Sequence, residues 1–200
     1  MFGRADSRRY IQQEIAQLKD ENQAIREELD RLREAIRSLD DLQQRLEFIN
    51  PQSDVIELVD SILSCALEAA DSENGTLMLL DEETGELVFA HVKGPGRDKL
   101  QGFRLPPGKG IASWVATTKT PKMVNDVRLE PLFSPLVDKA INFTTNAVVC
   151  VPLSHATRTL GVIEVVNTRN GRLFVESDLS ILLLLARLAA VALVRAEGSR

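Results

Sequence analysis

Along the first quarter of the chain, apolar residues return at alternating steps of three and four. Ile11, Leu18, Ile25, Leu32, Leu39 and Leu46 recur every seven residues, and Ile15, Asn22, Leu29, Ile36 and Gln43 form a second register between them. With the first set at d and the second at a, this is an uninterrupted heptad, which predicts a helix whose apolar strip needs a partner helix. The flanking charges give the partner's direction. Glu14, Glu21 and Glu28 occupy g positions, while Lys19, Arg26 and Arg33 occupy e positions. A parallel pair sets each g acid against an e base of the other chain, whereas an antiparallel pair opposes like charges. Asn22 at a supplies a register lock, because a slipped partner would leave its buried amide unpaired. The expectation is a parallel homodimer through residues 1–50.

Asn50-Pro51 ends or kinks this helix, since proline removes a donor and restricts the residue before it. Residues 51–53 read as a linker and 54–200 as one domain. Asp54 followed by Glu57 resembles a capping box and opens a second helix to about Asp71. That helix carries two apolar stripes, one with Leu58, Val59, Ile62 and Ala66, the other with Leu63, Leu67 and Ala70. The last helix, about Glu176 to Ala196, shows the same excess. Such helices either pack on a sheet and also on a dimer mate, or are wholly buried within one chain.

Between the two helices the pattern changes to strands. Gly75–Leu80 and Glu86–Val92 flank a turn that ends in Gly85, and Asn146–Leu153 and Leu160–Asn167 form a second pair. Phe103–Leu105 and Lys122–Asn125 predict short strands, and Ile111–Thr118 a short helix. Lys93–Gly102 reads as a loop, and Glu130–Ile141 as irregular or weakly helical. Paired hairpins with helices around them predict an α+β fold with an antiparallel sheet of five or six strands.

Composition narrows the function classes. The 200 residues are 44% apolar and 26% charged, with a net charge of −5. A packed core is expected, and a basic, aromatic-rich nucleic-acid surface is not. Cys65 and Cys150 sit in apolar runs and read as buried thiols of a cytosolic protein. The polar lead Met1–Tyr10 does not read as a signal peptide, and the most apolar run, Leu179–Val194, is interrupted by Arg187, so no membrane span is expected. His91 and His155 lack metal-ligand spacing. No motif implies a cofactor, and none pairs a nucleophile with a base.

Four stretches in order resemble the GAF family over about Asp54–Ala196. They are Leu105-Pro-Pro-Gly-Lys-Gly-Ile-Ala-Ser-Trp-Val-Ala with Thr120-Pro and Val124-Asn-Asp; Glu130-Pro-Leu-Phe with Asp138; Asn142-Phe-Thr-Thr-Asn-Ala-Val-Val-Cys-Val-Pro-Leu; and Leu160-Gly-Val-Ile-Glu-Val-Val-Asn with Phe174 and Asp178. The resemblance implies a sensory or regulatory module that takes a small molecule between its sheet and the covering loops. In a subset of the family an Asn-Lys…Phe…Asp-Glu signature accompanies cyclic-nucleotide binding. Asn167, Phe174 and Asp178 match it, whereas Thr168 stands in place of Lys and Leu179 in place of Glu.

A pocket is expected under Val124–Thr145, the least regular segment. Its candidate ligand-binding residues are Asn125, Asp126, Phe133, Asp138, Phe143, Thr144, Thr145 and Asn146. Glu164 joins them, a carboxylate among valines that is either hydrogen-bonded into the pocket or exposed at the dimer or solvent face. Asn125-Asp126 also suits an Asx-type turn. Three functions follow: a dimeric sensor that signals to a partner protein, a ligand-free dimerisation scaffold, and a thiol-dependent reductase of the kind known in a few relatives. The last lacks the neighbouring reactive cysteines it needs.

Overall fold

A computed structural model describes residues 4–47 and 55–197. The expected break at Asn50-Pro51, the 51–53 linker and the Asp54 cap lie outside the described residues, as do the side chains of Leu39 and Leu46. The heptad segment forms one long helix, α1 (Arg4–Glu47). Its apolar strip faces outward: Ile11, Ile15, Leu18, Ile25, Leu29, Leu32 and Ile36 are all exposed. Asn22 is exposed too, and its amide donates back to the Leu18 carbonyl at 3.1 Å. α1 also packs against two helices of the following domain, α2 (Val55–Ala69) and α6 (Glu176–Glu197).

The domain is built on a six-stranded sheet in the order β3-β2-β1-β6-β5-β4. Its strands are β1 (Ser72–Leu80), β2 (Leu87–Lys93), β3 (Arg104–Leu105), β4 (Lys122–Val124), β5 (Val148–His155) and β6 (Arg158–Thr168). Every pairing is antiparallel. Alternation along the strands divides the side chains between two cores. Leu77, Val149, Val151, Ile163 and Val165 point to the side covered by α2 and α6. Met78, Phe89, Val148, Cys150 and Val162 point to the opposite side, beneath α4 (Gly110–Thr118) and the irregular segments.

Both apolar stripes of α2 are buried within this one chain, with Ile62, Leu63, Ala66 and Ala70 fully inaccessible. These residues pack against the sheet and α6 of the same chain. α6 is long and apolar enough to cross a membrane by length and composition alone. Its apolarity has a use in the fold, because Leu182, Leu185, Ala186, Ala189 and Ala190 are sealed in the core shared with α2 and β5. The loop expected over Lys93–Gly102 contains one turn of helix, α3 (Arg97–Leu100), started by Gly96 in a left-handed conformation and anchored by buried Leu100.

Two contacts fix the framework, one between the helices and one within the sheet. Arg172 makes a two-pronged pair with Asp178 at 2.6 and 3.0 Å and donates to the Ala70 carbonyl at 3.1 Å. It thereby joins the end of α2 to the first turn of α6, where Asp178 also accepts from the Val175 amide at 2.9 Å. Asp178 is buried, so the pair is shielded from water. The second contact is the approach of β6 to β1 at Gly161. A Cβ there would lie 1.9 Å from the Met78 carbonyl oxygen and 2.9 Å from Leu79 Cα.

Both contacts have measurable consequences. Asp178→Ala strands a half-buried guanidinium and is expected to cost ~3 kcal/mol in chemical denaturation. Gly161→Ala must push β1 and β6 apart and is expected to cost ~3 kcal/mol in the same measurement. A loss within experimental error for either variant would contradict the corresponding assignment.

Candidate functional site

The sheet face opposite α2 and α6 is not fully covered. β1, β5 and β6 form the floor of a cavity there. α4 closes one side, and α5 (Leu136–Ile141) with the segments around it forms the roof. The space open to the centres of water-sized molecules is about 80 Å³, several times what one water needs. Phe89, Val92, Leu100, Leu105, Ile111, Phe133, Val137, Ile141 and Phe143 make most of the wall apolar.

The polar residues of the wall are few. Glu164 on β6 stands directly opposite Thr76 on β1 and Cys150 on β5. Of the two orientations open to Glu164 in the sequence, the fold selects the pocket face. No hydrogen bond reaches its carboxyl among the described residues, and the buried hydroxyl of Thr76 is also without a partner. Burial, reinforced by the negative charge of Asp138, pushes the Glu164 carboxyl up to about 7. Asp138 itself is engaged: it accepts from the Thr145 amide at 2.9 Å and from the Thr145 hydroxyl at 2.7 Å. That bracket folds residues 142–145 back onto α5, with Asn142 in a left-handed conformation at the turn. α4 opens at the cavity with Gly110, Ile111 and Ala112 in the wall and no side-chain cap.

Five of the nine residues expected from sequence line the cavity: Phe133, Asp138, Phe143, Thr145 and Glu164. The other four lie outside its wall and have structural partners. Asn125 grips the Phe174 backbone in both directions, at 3.0 and 2.8 Å. Asp126 caps a turn of 3-10 helix (Val127–Leu129) and pairs with Arg128, which holds its carboxyl below the usual range. The Thr144 carbonyl and the Asn146 amide are both held by the side chain of Asn167. Asn74, Thr76, Lys93 and Ser134 also line the cavity but were not expected to. The period-two pattern of β1 puts Thr76 on the face of Met78, a signal legible in the sequence.

Lys93 is the one cationic side chain among the lining residues, and its ammonium is committed to α2. It donates to Ser64 Oγ at 2.5 Å and pairs with Asp60 at 3.0 Å. His91 Nε2 meets the same Asp60 carboxylate at 2.8 Å. Burial works against that carboxylate, but the hydrogen bonds from Lys93 and His91 prevail and hold it below its ordinary range. Cys65 and Cys150 are buried on opposite sides of the sheet and outside any disulfide. Burial, then the nearby Glu164, raises the Cys150 thiol well above its usual value, which opposes thiolate chemistry. The described residues contain no cluster of His, Cys, Asp and Glu able to hold a metal ion.

The Glu164 carboxyl gives a pH signature. Its folded value lies above its unfolded one, so its contribution to stability is complete below about pH 4.5 and is lost as pH rises through about 7. Wild-type protein should lose up to ~3 kcal/mol across that window through this group. Glu164→Gln should flatten the dependence and melt higher than wild type above the window. Equal slopes in the two proteins would show that Glu164 is not a buried, unpaired acid.

Comparison with known proteins agrees with this architecture. A family model described as GAF domain matches residues 52–194. A probable 3',5'-cyclic phosphodiesterase, pde-5, of Caenorhabditis elegans is 23% identical over 133 residues, covering 60% of this chain and 18% of the relative. The chain thus spans under a fifth of that relative's length. Among solved structures, the GAF domain of a phosphoenolpyruvate-protein phosphotransferase from Coxiella burnetii superposes with a TM-score of 0.71 at 18% identity, covering 82% of this chain and 95% of that one. Free methionine-R-sulfoxide reductase from Neisseria meningitidis, in complex with its substrate, gives 0.66 at 20% identity, covering 83% and 92%. At these identities the structures share the fold. The family match spans well over half of the chain, which belongs to the GAF domain family.

Proposed function

We propose that this protein is a non-catalytic sensory module that binds a small molecule between its sheet and the α4–α5 cover and works as a parallel homodimer. The observation that carries the reading is the cavity, in whose floor the Thr76 hydroxyl has no partner among the described residues and the Glu164 carboxyl is held in a setting that raises it to about 7. Buried polar groups left unpaired in a folded protein are costly, and a ligand that pairs them recovers that cost. The exposed strip from Ile11 to Ile36 supports the dimer, since so long an apolar row on one helix is a contact surface. Lys93 supports a relay. It belongs to the cavity wall and is anchored to Ser64 and Asp60 of α2, the helix against which α1 packs. Output then falls to a partner protein or to further domains.

Cyclic nucleotides, the substrates named for the phosphodiesterase relative, suit this wall poorly. A phosphate would meet Glu164 and Asp138, while Lys93 points its charge elsewhere. Cytoplasmic residence is part of the same proposal and rests on the two reduced, buried cysteines.

Thermal-shift screening of the whole chain against cyclic nucleotides and common metabolites tests the pocket. A shift abolished by filling the cavity with Ala112→Phe supports the sensor, and no shift with any compound favours a ligand-free scaffold. Light scattering tests the dimer, which should weigh about twice the 22.2 kDa chain. Glu14→Lys with Glu21→Lys should lower the association constant by about tenfold or more. Glu28 is left unchanged because its charge also acts on Arg172. A mass near one chain for wild type would refute the dimer.

A further inference from the structure

Two carboxyls and an unpartnered hydroxyl stand close together in the cavity wall. Thr76 and Glu164 face each other across the β1–β6 ladder, and Asn74 stands two residues from Thr76 on the same face. Asp138 adds a second carboxylate from the roof. Among the described lining residues no cation points inward, because the Lys93 ammonium is held by Ser64 and Asp60 on the other side of the sheet. The described lining residues thus present negative potential and acceptor atoms beside Phe133 and Phe143, with no inward-pointing cation among them. A positively charged N–H donor would complement the carboxyls and could also donate to the Thr76 hydroxyl.

We propose that the pocket recognises an organic ammonium: a protonated amine on a small apolar body, with the ammonium between Glu164 and Thr76 and the body against Phe133 and Phe143. This rests on the sensor reading above and gives it a ligand class. An ammonium offers three donors, enough for the two Glu164 oxygens and the Thr76 hydroxyl, which would otherwise stay unpaired. Aromatic rings beside the cation add attraction through their negative faces. A neutral ligand would leave the acid protonated, and an anion would be repelled by both carboxylates.

Binding of this kind is linked to protonation. A cation seated on Glu164 stabilises its ionised form, so ammonium affinity should rise as Glu164 loses its proton. The groups facing Glu164 are Thr76 and Asn74 from β1, Cys150 from β5 and Asp138 from α5. Among them Asp138 is the other carboxyl, and the negative charge by which it acts on Glu164 also favours the cation.

A matched series tests the class on the whole chain by isothermal titration calorimetry: benzylamine, its neutral counterpart benzyl alcohol, and the anion benzoate. Benzylamine should bind about tenfold or more tightly than benzyl alcohol, with benzoate weaker still. Its affinity should increase between about pH 6 and about pH 8. Glu164→Gln should remove about tenfold of the benzylamine affinity and leave benzyl alcohol unchanged. Carbon-detected NMR of the Glu164 carboxyl should show its titration moving to lower pH when benzylamine is present. Equal binding of amine and alcohol, or an amine affinity indifferent to Glu164→Gln, would overturn the ammonium assignment while leaving a functioning pocket. Binding of none of the three at millimolar concentration would overturn both the assignment and the pocket reading.

Discussion

β6 is paired along both edges, with β1 on one side and β5 on the other, and the rest of the fold is referred to that register. A slip by one residue would exchange the two faces of the strand. Ile163 and Val165 would leave the α2–α6 core, and Glu164 would enter it. Gly161 enforces the pairing sterically, since only a residue without a side chain lets β6 come so near the Met78 carbonyl. The strand that carries the acid is thus fixed in register by both neighbours and by Gly161, which holds Glu164 on the cavity face.

The two sides of the sheet have different physics. The α2–α6 side is a continuous apolar core closed by Arg172, whose guanidinium spans Asp178 and the Ala70 carbonyl. The α4–α5 side is assembled from short elements held by polar brackets. Asp138 holds Thr145, Asn167 holds Thr144 and Asn146, and Asn125 holds Phe174. Such a cover is stiff at its brackets and incompletely packed between them, so a cavity forms there. Lys93 lines the cavity and places its ammonium on Ser64 and Asp60 of α2.

Arg172 also changes the meaning of a departure in the sequence. Thr168 stands where the cyclic-nucleotide signature of the family has lysine, ten residues before Asp178 at the start of α6. The folded chain supplies a cation from four residues further on, and the Thr168 hydroxyl donates to the Arg172 carbonyl, steadying that loop. Spacing along the chain does not carry this information, because loop geometry decides which side chain arrives.

Periodicity by itself determined the elements: the heptad helix, the two strong hairpins, the two-sided helices and the antiparallel α+β class. Those follow from local repeat lengths that are read directly from residue order. It also determined that Glu164 shares a face with Val162 and Val166, without saying which face meets the pocket. Only the tertiary structure decided that, together with the absence of a partner for Thr76, the diversion of Lys93 to α2 and the removal of Asn125, Asp126, Thr144 and Asn146 from the wall. Each of these depends on long-range pairing and on which neighbour satisfies a polar group. Residue order constrains such choices through the whole fold and not through any single stretch.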